Sequence, residues 1–559
     1  MSSGHGQPPG PSTCSDFIVA TRPHTVGIEP TTSRTDANAL TVELNVLATV
    51  HSRVIRALST PSAFVNRMKD ASGKHLWQTA AGGRPTGRID PNDQPIRPGD
   101  FKDPEQLRQL TCALLVRDFN LKLSLPYDRL CPIIPGRLDY CLWLIDVLKA
   151  SIELTHEGDR VLVIDIGTGS SAIYPLLLSR LLKSAQMIAT EVDQSSYDSA
   201  VRNITQNDLA DRIFLQKTSS TDPSILPIGL ITQNTSQSIS ITMCNPPFYN
   251  SQEEIEALRQ KKDTPPEGAC TGSEVEMIYP GGEVGFIEKM MRDSLIIGSQ
   301  TRWFTCLCGK YTTLFPVVQL FKSLGGNNYA ISELIQGRTR RWVIGWSWQH
   351  HRLPDDVART MGPPGPRLKD CSQFLPPSNH LEYYMPLDVI VFGNRKTLAD
   401  QITNTLELVE KSHFEQFHSD SSCSWKVTLY EKNWTRNARR KRKFAAAEAS
   451  GPQTTTQDTR PGKRENGSDA VQLSDRNPIL EVRLSLNAYH PTPRPEDRQV
   501  TKDESRIPPL KLYSSPSVIR PTEEQIGVKI SSDWLFGQDR DLFLSFWNHV
   551  LKMKSVATT

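Results

Sequence analysis

The residues best suited to chemistry in this sequence are Asn245, Pro246, Pro247 and Phe248, which follow the apolar run 239–242. Such a run is typical of a short buried strand. Two consecutive prolines end a strand, because neither donates a backbone hydrogen bond and each fixes φ at about −65°. A side-chain amide and an aromatic ring therefore leave the predicted sheet from a stiff backbone.

The chemistry that fits this corner is methylation of an amine on a planar base. Such an amine is a weak nucleophile, because its lone pair is delocalised into the ring, so a site needs acceptors for its N–H bonds. The side-chain oxygen of Asn245 and the carbonyl of Pro246 are the candidate acceptors. Phe248 is the candidate platform, since stacking on an aromatic ring contributes roughly 1–3 kcal/mol per base. A proline turn capped by asparagine explains the same residues without any ligand.

A second candidate site is the glycine turn Asp-Ile-Gly-Thr-Gly, in which Gly167 and Gly169 follow the apolar run 161–166. Glycines let the backbone approach a ligand closely and expose amides at the start of the following helix. Glu191 ends the next predicted strand, where it is placed to accept hydrogen bonds from both hydroxyls of a ribose. A tight strand-to-helix turn without a ligand is the alternative.

Two cofactors fit this turn. Gly167, Gly169 and Ala172 satisfy the G-x-G-x-x-A pattern of a dinucleotide site, which indicates NAD. The same turn suits S-adenosyl-L-methionine, whose ribose also offers its hydroxyls to Glu191. A dehydrogenase does not need a rigid Asn-Pro-Pro-Phe corner, whereas an amine methyltransferase does, because the crevice at the strand ends places that corner beside the methyl donor. The two motifs together favour S-adenosyl-L-methionine.

These motifs require a sheet that brings strand ends together, and residues 96–350 predict one. Asp103 and Pro104 are typical of a helix N-cap and a first helical position. Strand and helix patterns then alternate, as in a doubly wound α/β sheet. The predicted strands are 161–166, 187–191, 213–215, 239–242, 302–307, 329–334 and 342–348, and the helices between them are 174–182, 197–204, 284–297 and 314–324.

Composition divides the rest of the chain. Residues 1–95 are rich in Ser, Thr, Gly, Pro and Arg and are predicted to be mostly disordered. Residues 351–378 carry Pro-Pro and Gly-Pro steps and are predicted to form a linker. Residues 379–559 are predicted to form a smaller α+β domain with a disordered low-complexity insert at 445–475. Its predicted strands are 387–392, 425–429, 480–486 and 526–530, and its helices are 398–412 and 541–552.

The totals exclude several classes of protein. No apolar run approaches the roughly 20 residues of a membrane span, so no membrane partner is expected. The ten cysteines show no paired C-x-x-C spacing, which argues against a metal site and for a reducing compartment. A net charge of +3, from 64 basic and 61 acidic residues, means that any binding to nucleic acid has to come from local patches.

Two clusters of basic residues are candidates for RNA binding, and a solvated surface is the alternative for both. The first is predicted to lie in the turn before the last strand of the larger domain, where arginines fit phosphate groups, and comprises Arg338, Arg340 and Arg341. The second fits a nuclear-import signal, an RNA contact or both, and comprises Arg439, Arg440, Lys441, Arg442 and Lys443.

Several ordered blocks resemble one known family. They are Phe101 to Glu105, Ile134 to Tyr140, Asp165 to Gly169, Ala189 to Asp193, Cys244 to Phe248 and Gln336 to Thr339. Over roughly residues 101–348 the chain resembles the U6 small nuclear RNA N6-adenosine methyltransferases, which have bacterial relatives that act on large-subunit ribosomal RNA. The resemblance implies a Rossmann-like class I methyltransferase domain that uses S-adenosyl-L-methionine.

The resemblance also implies roles for individual residues. Arg137 would pair with the methionine carboxylate, although without the family it is typical of a surface cation on a helix. The family's gating loop corresponds to residues 251–278, in which Lys261 and Lys262 would contact RNA. The domain at 379–559 takes the place of the family's RNA-binding domain. The family's cofactor contacts fall on Arg137, Gly167, Ser171, Glu191, Thr218 and Asn245.

The expected function is S-adenosyl-L-methionine-dependent formation of N6-methyladenosine in an unpaired adenosine of a structured RNA such as U6 small nuclear RNA. The expected location is the nucleus, with a cytoplasmic fraction also compatible. Two alternatives stay open from the sequence. One is methylation of a protein glutamine by a similar Asn-Pro-Pro corner, which Phe248 and the arginines disfavour. The other is a non-catalytic protein that binds RNA and senses the cofactor.

Overall fold

The computed structural model describes a large part of the chain in separate ranges. The regions 1–95 and 445–475, predicted to be disordered, lie outside the described residues. The described residues are 104–151, 161–233, 238–260, 272–336, 339–361, 373–386, 395–419, 422–435, 438, 440, 477–489 and 527–552.

An eight-stranded sheet organises the first part of the chain, in the order β3-β2-β1-β4-β5-β7-β6-β8. Strands β1 to β5 are parallel to one another, whereas β7 runs antiparallel to both β5 and β6. This order confirms the predicted doubly wound, Rossmann-like sheet. The strands are β1 Val161–Ile166, β2 Ala185–Glu191, β3 Ile213–Lys217, β4 Ile239–Cys244, β5 Thr301–Cys308, β6 Asn328–Gln336, β7 Thr339–Ser347 and β8 Arg359–Thr360.

Helices precede the sheet and connect its strands. They are α1 Pro104–Phe119, α2 Ile134–Ser151, α3 Ile173–Leu181, α4 Gln194–Thr205, α5 Ile228–Gln233, α6 Gln252–Gln260, α7 Glu274–Met277, α8 Gly282–Ile297, α9 Leu314–Ser323 and α10 Asp355–Ala358. The sequence patterns missed α5, α6 and α7, which are short. No helix in the described ranges combines the length and apolar character needed to cross a membrane.

The central strands are buried on both faces, which explains their apolar sequences. Every residue of β1 and of β4 is buried. One face packs against α8 and α9 in a cluster that includes Phe304, Phe321 and Trp346. Burial of this kind contributes about 25 cal/mol per Å² of apolar surface, so these two strands hold the centre of the fold in a fixed position.

Part of the interval predicted to be a linker belongs to the first sheet. Helix α10 and strand β8 lie within 351–378, and β8 pairs with β6 in parallel. Phe374 is buried in the same cluster as Phe304. The parts of this interval that the structure describes, 351–361 and 373–378, therefore include segments that pack against the first sheet.

A second sheet follows, with five antiparallel strands in the order β10-β11-β12-β13-β9. Its core lies against α11 and α12 and includes Trp425, Phe543 and Phe546. Strand β9 lies just before the predicted strand 387–392, which falls outside the described residues, and β10 was not predicted. The elements are β9 His380–Pro386, α11 Arg395–Glu407, β10 Ser412–His418, β11 Ser422–Leu429, β12 Leu480–Tyr489, β13 Gly527–Phe536 and α12 Arg540–Leu551.

Arg352 joins the two sheets. Its guanidinium donates to the Gly537 carbonyl at 2.8 and 3.0 Å and to the Asn327 carbonyl at 2.9 Å, and it lies 4.1 Å from the centre of the Trp534 ring. Its backbone amide donates to Leu535. Burial lowers the pKa of Arg352 to about 10, with repulsion from another arginine adding to the effect. A buried arginine that binds carbonyls in this way holds the end of β13 against the first sheet.

Charged residues cluster on the second sheet around His380. Its ring nitrogens lie 2.5 Å from Asp533 and 3.0 Å from Glu382, and Glu382 also accepts from Lys529 at 2.9 Å. The hydrogen bond with Asp533 raises the pKa of His380 to about 9, against the opposing effect of burial, and Glu382 adds to the rise.

The stability of this sheet should fall with rising pH. The folded pKa of His380 lies above its ordinary value of 6.5, so its contribution is fully present below pH 6.5 and is lost as the pH passes through about 9. Urea unfolding across this range should show the loss, and His380→Gln should abolish it. His413→Gln, at an exposed histidine of β10, is the control that should keep it. An unchanged pH dependence in His380→Gln would contradict the assignment.

Candidate active site

The glycine turn and the Asn-Pro-Pro-Phe corner lie side by side at the carboxyl edge of the first sheet. Strands β1 and β4 are parallel neighbours, and Ile166 pairs with Cys244 in their register. The next residues along the two strands are Gly167 and Asn245. The two motifs, 78 positions apart by number, therefore meet because the two strands are neighbours in the same register.

Both glycines of the turn need a left-handed backbone. Gly167 has φ +68° and Gly169 has φ +69°, conformations that other residues adopt at a cost. The amides of Gly167 and Thr168 donate to Thr190, and the amide of Gly169 donates to Glu191 at 2.8 Å. These three amides are therefore bonded to the end of β2 and are not free to bind a ligand. The glycines instead keep side chains out of the crevice.

Glu191 is buried and its carboxylate already accepts three hydrogen bonds. The donors are the amides of Gly169, Val192 and Asp193, at 2.8–2.9 Å. Burial raises the pKa of Glu191, and these amides oppose the rise. Two carboxylate oxygens have about four lone-pair positions, so one further donor can be accepted. The Thr218 amide donates to the Glu191 carbonyl at 2.9 Å, which places Thr218 beside this strand end.

Asp165 is a site residue that sequence reasoning did not single out. It lies in β1 with no exposed surface, and neither carboxylate oxygen has a hydrogen-bond partner in the described part of the chain. Burial raises its pKa to about 7. The Thr168 hydroxyl, which is close but does not meet hydrogen-bond geometry, opposes the rise, Glu191 adds to it, and Arg137 opposes it. A lone charge inside the apolar run 161–166 was the available signal.

Arg137 lies in the first turn of α2 and is directed into this crevice. Its Nη1 donates to the Tyr174 hydroxyl at 2.7 Å, and its guanidinium lies 5.5 Å from the centre of that ring. Its charge also reaches Asp165, whose pKa it lowers. The structure therefore places Arg137 among the predicted cofactor residues, and the reading as a free surface cation does not hold.

Ser171 lies at the turn that leads into α3 and is buried. The next residue, Ala172, has φ +48°, which is unusual for a residue with a side chain. Such a conformation costs on the order of 1–3 kcal/mol and persists only where the surroundings impose it. The backbone is therefore tightly constrained around the predicted cofactor contacts.

The corner itself is supported from below by Tyr140. The Tyr140 hydroxyl accepts from the Cys244 amide at 3.3 Å and is hydrogen-bonded to Thr305 at 2.7 Å. Thr305 in turn donates to the Thr242 carbonyl at 2.8 Å. Helix α2 and strands β4 and β5 thus fix the backbone just before Asn245. The block Ile134 to Tyr140 contained the signal for this residue, but not its role.

Asn245 has a buried acceptor without a partner. Its Oδ1 atom makes no hydrogen bond in the described ranges, and Pro246 next to it is buried. Buried polar atoms are nearly always hydrogen-bonded, so an unpaired amide oxygen in a crevice indicates a missing donor. Phe248 is half-buried, and its ring edge lies against Gly309 at the end of β5.

The loop after the corner is described at its two ends. Helix α6 begins it, Lys261 and Lys262 lie outside the described residues, and α7 ends it with a capping box of Ser273 and Glu276. The Tyr249 amide donates to Met277 at 3.0 Å. Oε1 of Glu276 lies 3.8 Å from the position that a Cβ on Gly169 would take. The end of the loop therefore lies over the glycine turn.

The arginine cluster is arranged differently from the prediction. Arg340 and Arg341 lie in β7 rather than in a turn, so their side chains point to opposite faces. Arg340 pairs with Glu333 at 2.9 Å. Arg341 is exposed, yet the protein around it removes enough water to lower its pKa, and Arg137 adds to this effect while Glu283 and Tyr249 oppose it. Of the two arginines, Arg341 is therefore the one near the crevice. Arg338 lies outside the described residues.

The second basic cluster is described at one position. Arg440 is helical and exposed. Arg439, Lys441, Arg442 and Lys443 lie outside the described residues.

The residues at this edge fit S-adenosyl-L-methionine. The ammonium group and the ribose hydroxyls of this cofactor are hydrogen-bond donors, and so is the amine that would accept the methyl group. The crevice offers acceptors for them. In the described chain, six of the ten residues with buried side-chain oxygens that have no partner lie in or just after β1, β3 and β4: Asp165, Thr168, Ser170, Gln216, Thr242 and Asn245. The other four, Ser179, Thr301, Asn433 and Ser532, lie elsewhere. Arg137 supplies the single cation that a carboxylate would require.

Comparisons with known proteins find relatives that are RNA methyltransferases. A family model described as an RNA methyltransferase matches residues 92–350. The U6 small nuclear RNA (adenine-(43)-N(6))-methyltransferase of Schizosaccharomyces pombe is 32% identical over 348 residues, which cover 61% of this chain and 82% of that protein. The human RNA N(6)-adenosine-methyltransferase METTL16 is 35% identical over 275 residues, 48% of this chain and 46% of that protein.

A solved structure, the human METTL16 catalytic domain in complex with a MAT2A 3′UTR hairpin, is 32% identical and covers 54% of this chain and 98% of that one, with a TM-score of 0.42. The chain spans about half the length of the vertebrate relatives that it matches. Its match to the fission yeast enzyme extends over most of that protein. The chain belongs to the family of RNA (adenine-N6)-methyltransferases that includes the U6 small nuclear RNA enzymes.

Proposed function

We propose that this methyltransferase modifies the N6 atom of an unpaired adenosine in a structured RNA, with U6 small nuclear RNA as its target. The observation that carries the proposal is the unpaired, buried Oδ1 of Asn245 beside the glycine turn. The names of the relatives, which specify U6 small nuclear RNA, support the choice of target.

Asn245, Pro246 and Phe248 act on the base. Asn245 Oδ1 and the Pro246 carbonyl accept hydrogen bonds from the exocyclic amine, which turns its lone pair out of conjugation with the ring. Phe248 holds the face of the base by stacking, and Pro247 keeps the corner stiff. Asn245 has no basic atom, so the proton that leaves the nitrogen passes to water. Catalysis is then largely positioning, which can supply about 7–11 kcal/mol.

Arg137, Glu191 and the glycine turn act on the cofactor. Bound S-adenosyl-L-methionine supplies an electrophilic methyl group. Arg137 pairs with a carboxylate, while Glu191 and Asp165 accept from hydroxyl and ammonium donors. Ser171 and Thr218 line the same strand ends, and Gly167 and Gly169 leave room for a ligand against the backbone.

RNA binding uses basic residues around the crevice and in the second sheet. Arg341 is the best-placed of these in the described chain, because Arg137 and Tyr249 are its neighbours. Lys261, Lys262 and Arg338 complete the proposed contact near the crevice. The target adenosine has to be unpaired or flipped out, which costs a few kcal/mol and favours loops.

The remaining regions have accessory roles. We assign residues 96–350, together with α10 and β8, to the methyltransferase domain and 379–559 to a domain that binds RNA through the run Arg439 to Lys443. The same run serves nuclear import, so the protein is nuclear. Deleting residues 439–443 should weaken RNA binding and shift the protein to the cytoplasm.

Labelling tests the target directly. Full-length protein is incubated with S-adenosyl-L-methionine carrying a labelled methyl group and with total RNA. Label in U6 small nuclear RNA, recovered as N6-methyladenosine, supports the proposal. Label in protein, or no label in either, overturns it.

Asn245→Ala should abolish methylation. S-adenosyl-L-methionine should still bind to this variant, but with lower affinity. Without the amide oxygen the base amine keeps its lone pair in the ring, so kcat should fall by at least about 100-fold. Kinetics with a U6 RNA hairpin measure the loss, and calorimetric titration measures cofactor affinity. Near-normal kcat in this variant would refute the assignment.

Arg137→Gln should weaken cofactor binding by about 10- to 100-fold, because a charge-assisted hydrogen bond contributes roughly 1.5–3 kcal/mol. Equilibrium titration with S-adenosyl-L-methionine gives the dissociation constant. Arg202→Gln, at an exposed arginine of α4, is the control and should bind normally. Equal affinities of the two variants would rule out the proposed carboxylate contact.

Arg341→Gln and Arg340→Gln should affect different properties of the protein, because the two side chains lie on opposite faces of β7. Arg341→Gln should weaken RNA binding and lower the slope of log affinity against log salt by about one. Arg340→Gln should keep RNA affinity but lower the Tm, because the buried Glu333 loses the charge of its ion pair with Arg340. Filter binding at several salt concentrations and thermal unfolding measure both. The reverse pattern would contradict the assignment of faces.

A further inference from the structure

Phe248 lies against a glycine at the end of the neighbouring strand. A Cβ built on Gly309 would stand 2.8 Å from Cδ1 and 3.0 Å from Cε1 of the Phe248 ring. Real Cβ atoms essentially never come that close to another heavy atom. Gly309 directly follows β5, which is the parallel neighbour of β4. The edge of the ring therefore occupies the space that any side chain at position 309 would need.

The backbone of Gly309 does not itself require glycine. Its φ is not positive, in contrast to Gly167 and Gly169, so a residue with a side chain can adopt the same conformation. Backbone strain is thus absent as a reason for glycine here. Two contacts remain as reasons, because a Cβ at position 309 would strike the Phe248 ring and would also lie 3.2 Å from Oε1 of Glu283.

Glu283 fixes the main chain at this position. It lies in the first turn of α8 and is only 2% exposed. Its carboxylate accepts from the amides of Gly309 and Lys310, the second at 3.2 Å, and from the Thr313 hydroxyl. Burial raises the pKa of Glu283, and these three donors oppose the rise. The carboxylate thereby holds the segment after β5 in one position.

The backbone that follows Phe248 is hydrogen-bonded to the segment that leads into α8. The amide of Tyr249 donates to Met277, and the amide of Tyr279 donates back to Tyr249, both at 3.0 Å. The Gly281 amide donates to the Asn250 side chain at 2.7 Å. Because this segment leads directly into α8, the backbone after Phe248 and the carboxylate of Glu283 belong to one connected support.

We propose that Gly309 and Glu283 are positioning residues that set the tilt of the Phe248 ring and of the base stacked on it. The inference rests on the proposed function, in which Phe248 is the stacking platform. Gly309 acts by lacking a side chain, which lets the ring settle against the end of β5. Glu283 acts by holding the backbone against which the ring settles.

Gly309→Ala in the full chain tests the inference. The added methyl group displaces the ring, and a displacement of about 1 Å costs on the order of 100-fold in rate. The loss should appear more in kcat than in KM for RNA, because the stacking area remains while the alignment is lost. Affinity for S-adenosyl-L-methionine should not change. Gly229→Ala is the matched control, since it lies in α5 with nothing within 4 Å of its added Cβ, and should be fully active.

A double-mutant cycle with Phe248→Leu separates positioning from a general effect on the fold. Leucine lacks the ring edge that the methyl group would strike, so Gly309→Ala should cost much less in that background. Additive losses would overturn the inference, as would normal kcat in Gly309→Ala alone. If Gly309→Ala lowers the Tm, the double variant should recover it, and failure to recover would also overturn the inference.

Glu283→Gln provides a second variant. It replaces one acceptor oxygen with a donor, so kcat should fall with unchanged cofactor affinity, and the loss should again be smaller with Phe248→Leu. Failure of the proposed function would look different. If Phe248→Leu alone kept normal kinetics, the stacking platform itself would be wrong, whereas a strong loss there with normal Gly309→Ala would refute only the positioning.

Discussion

The site depends on the parallel register of β1 and β4. Pairing of Ile166 with Cys244 brings Gly167 and Asn245 to the same edge of the sheet. Both strands are buried on both faces, so a shift in register would carry a large apolar surface into water. The stability of the core therefore fixes the distance between the part of the site that holds a cofactor and the part that holds a base.

Without its ligands, the carboxyl edge of the first sheet lowers the stability of the folded protein. Asp165 and Asn245 bury acceptors that have no partner in the described ranges, and Ala172 holds a left-handed backbone conformation. Unpaired buried polar atoms cost about 1–3 kcal/mol each, and neighbouring hydrogen bonds and packing have to offset them. Tyr140 and Glu283 contribute such support from beneath the corner. Ligands that donate to these acceptors will then stabilise the folded state.

The sequence by itself determined the class of the fold and the chemistry of the site. Alternating strand and helix patterns predicted the doubly wound sheet, since apolar runs mark strands buried on both faces. Gly167 and Asn245 were identifiable because glycine frees the backbone and the prolines after Asn245 restrict it, and such effects act over a few residues. The family resemblance added Arg137, whose pattern alone was typical of a surface cation.

The tertiary structure decided which groups meet and which are already engaged. Asp165 lies in an apolar run and was not recognised as a site residue. The amides of the glycine turn are hydrogen-bonded to the end of β2, and the side chains of Arg340 and Arg341 lie on opposite faces of β7. Gly309, after β5, lies against the Phe248 ring, and Glu283, in α8, accepts a hydrogen bond from the Gly309 amide. These facts depend on contacts between segments far apart in the chain, and local residue patterns carry no information about such contacts until the packing of the core fixes them.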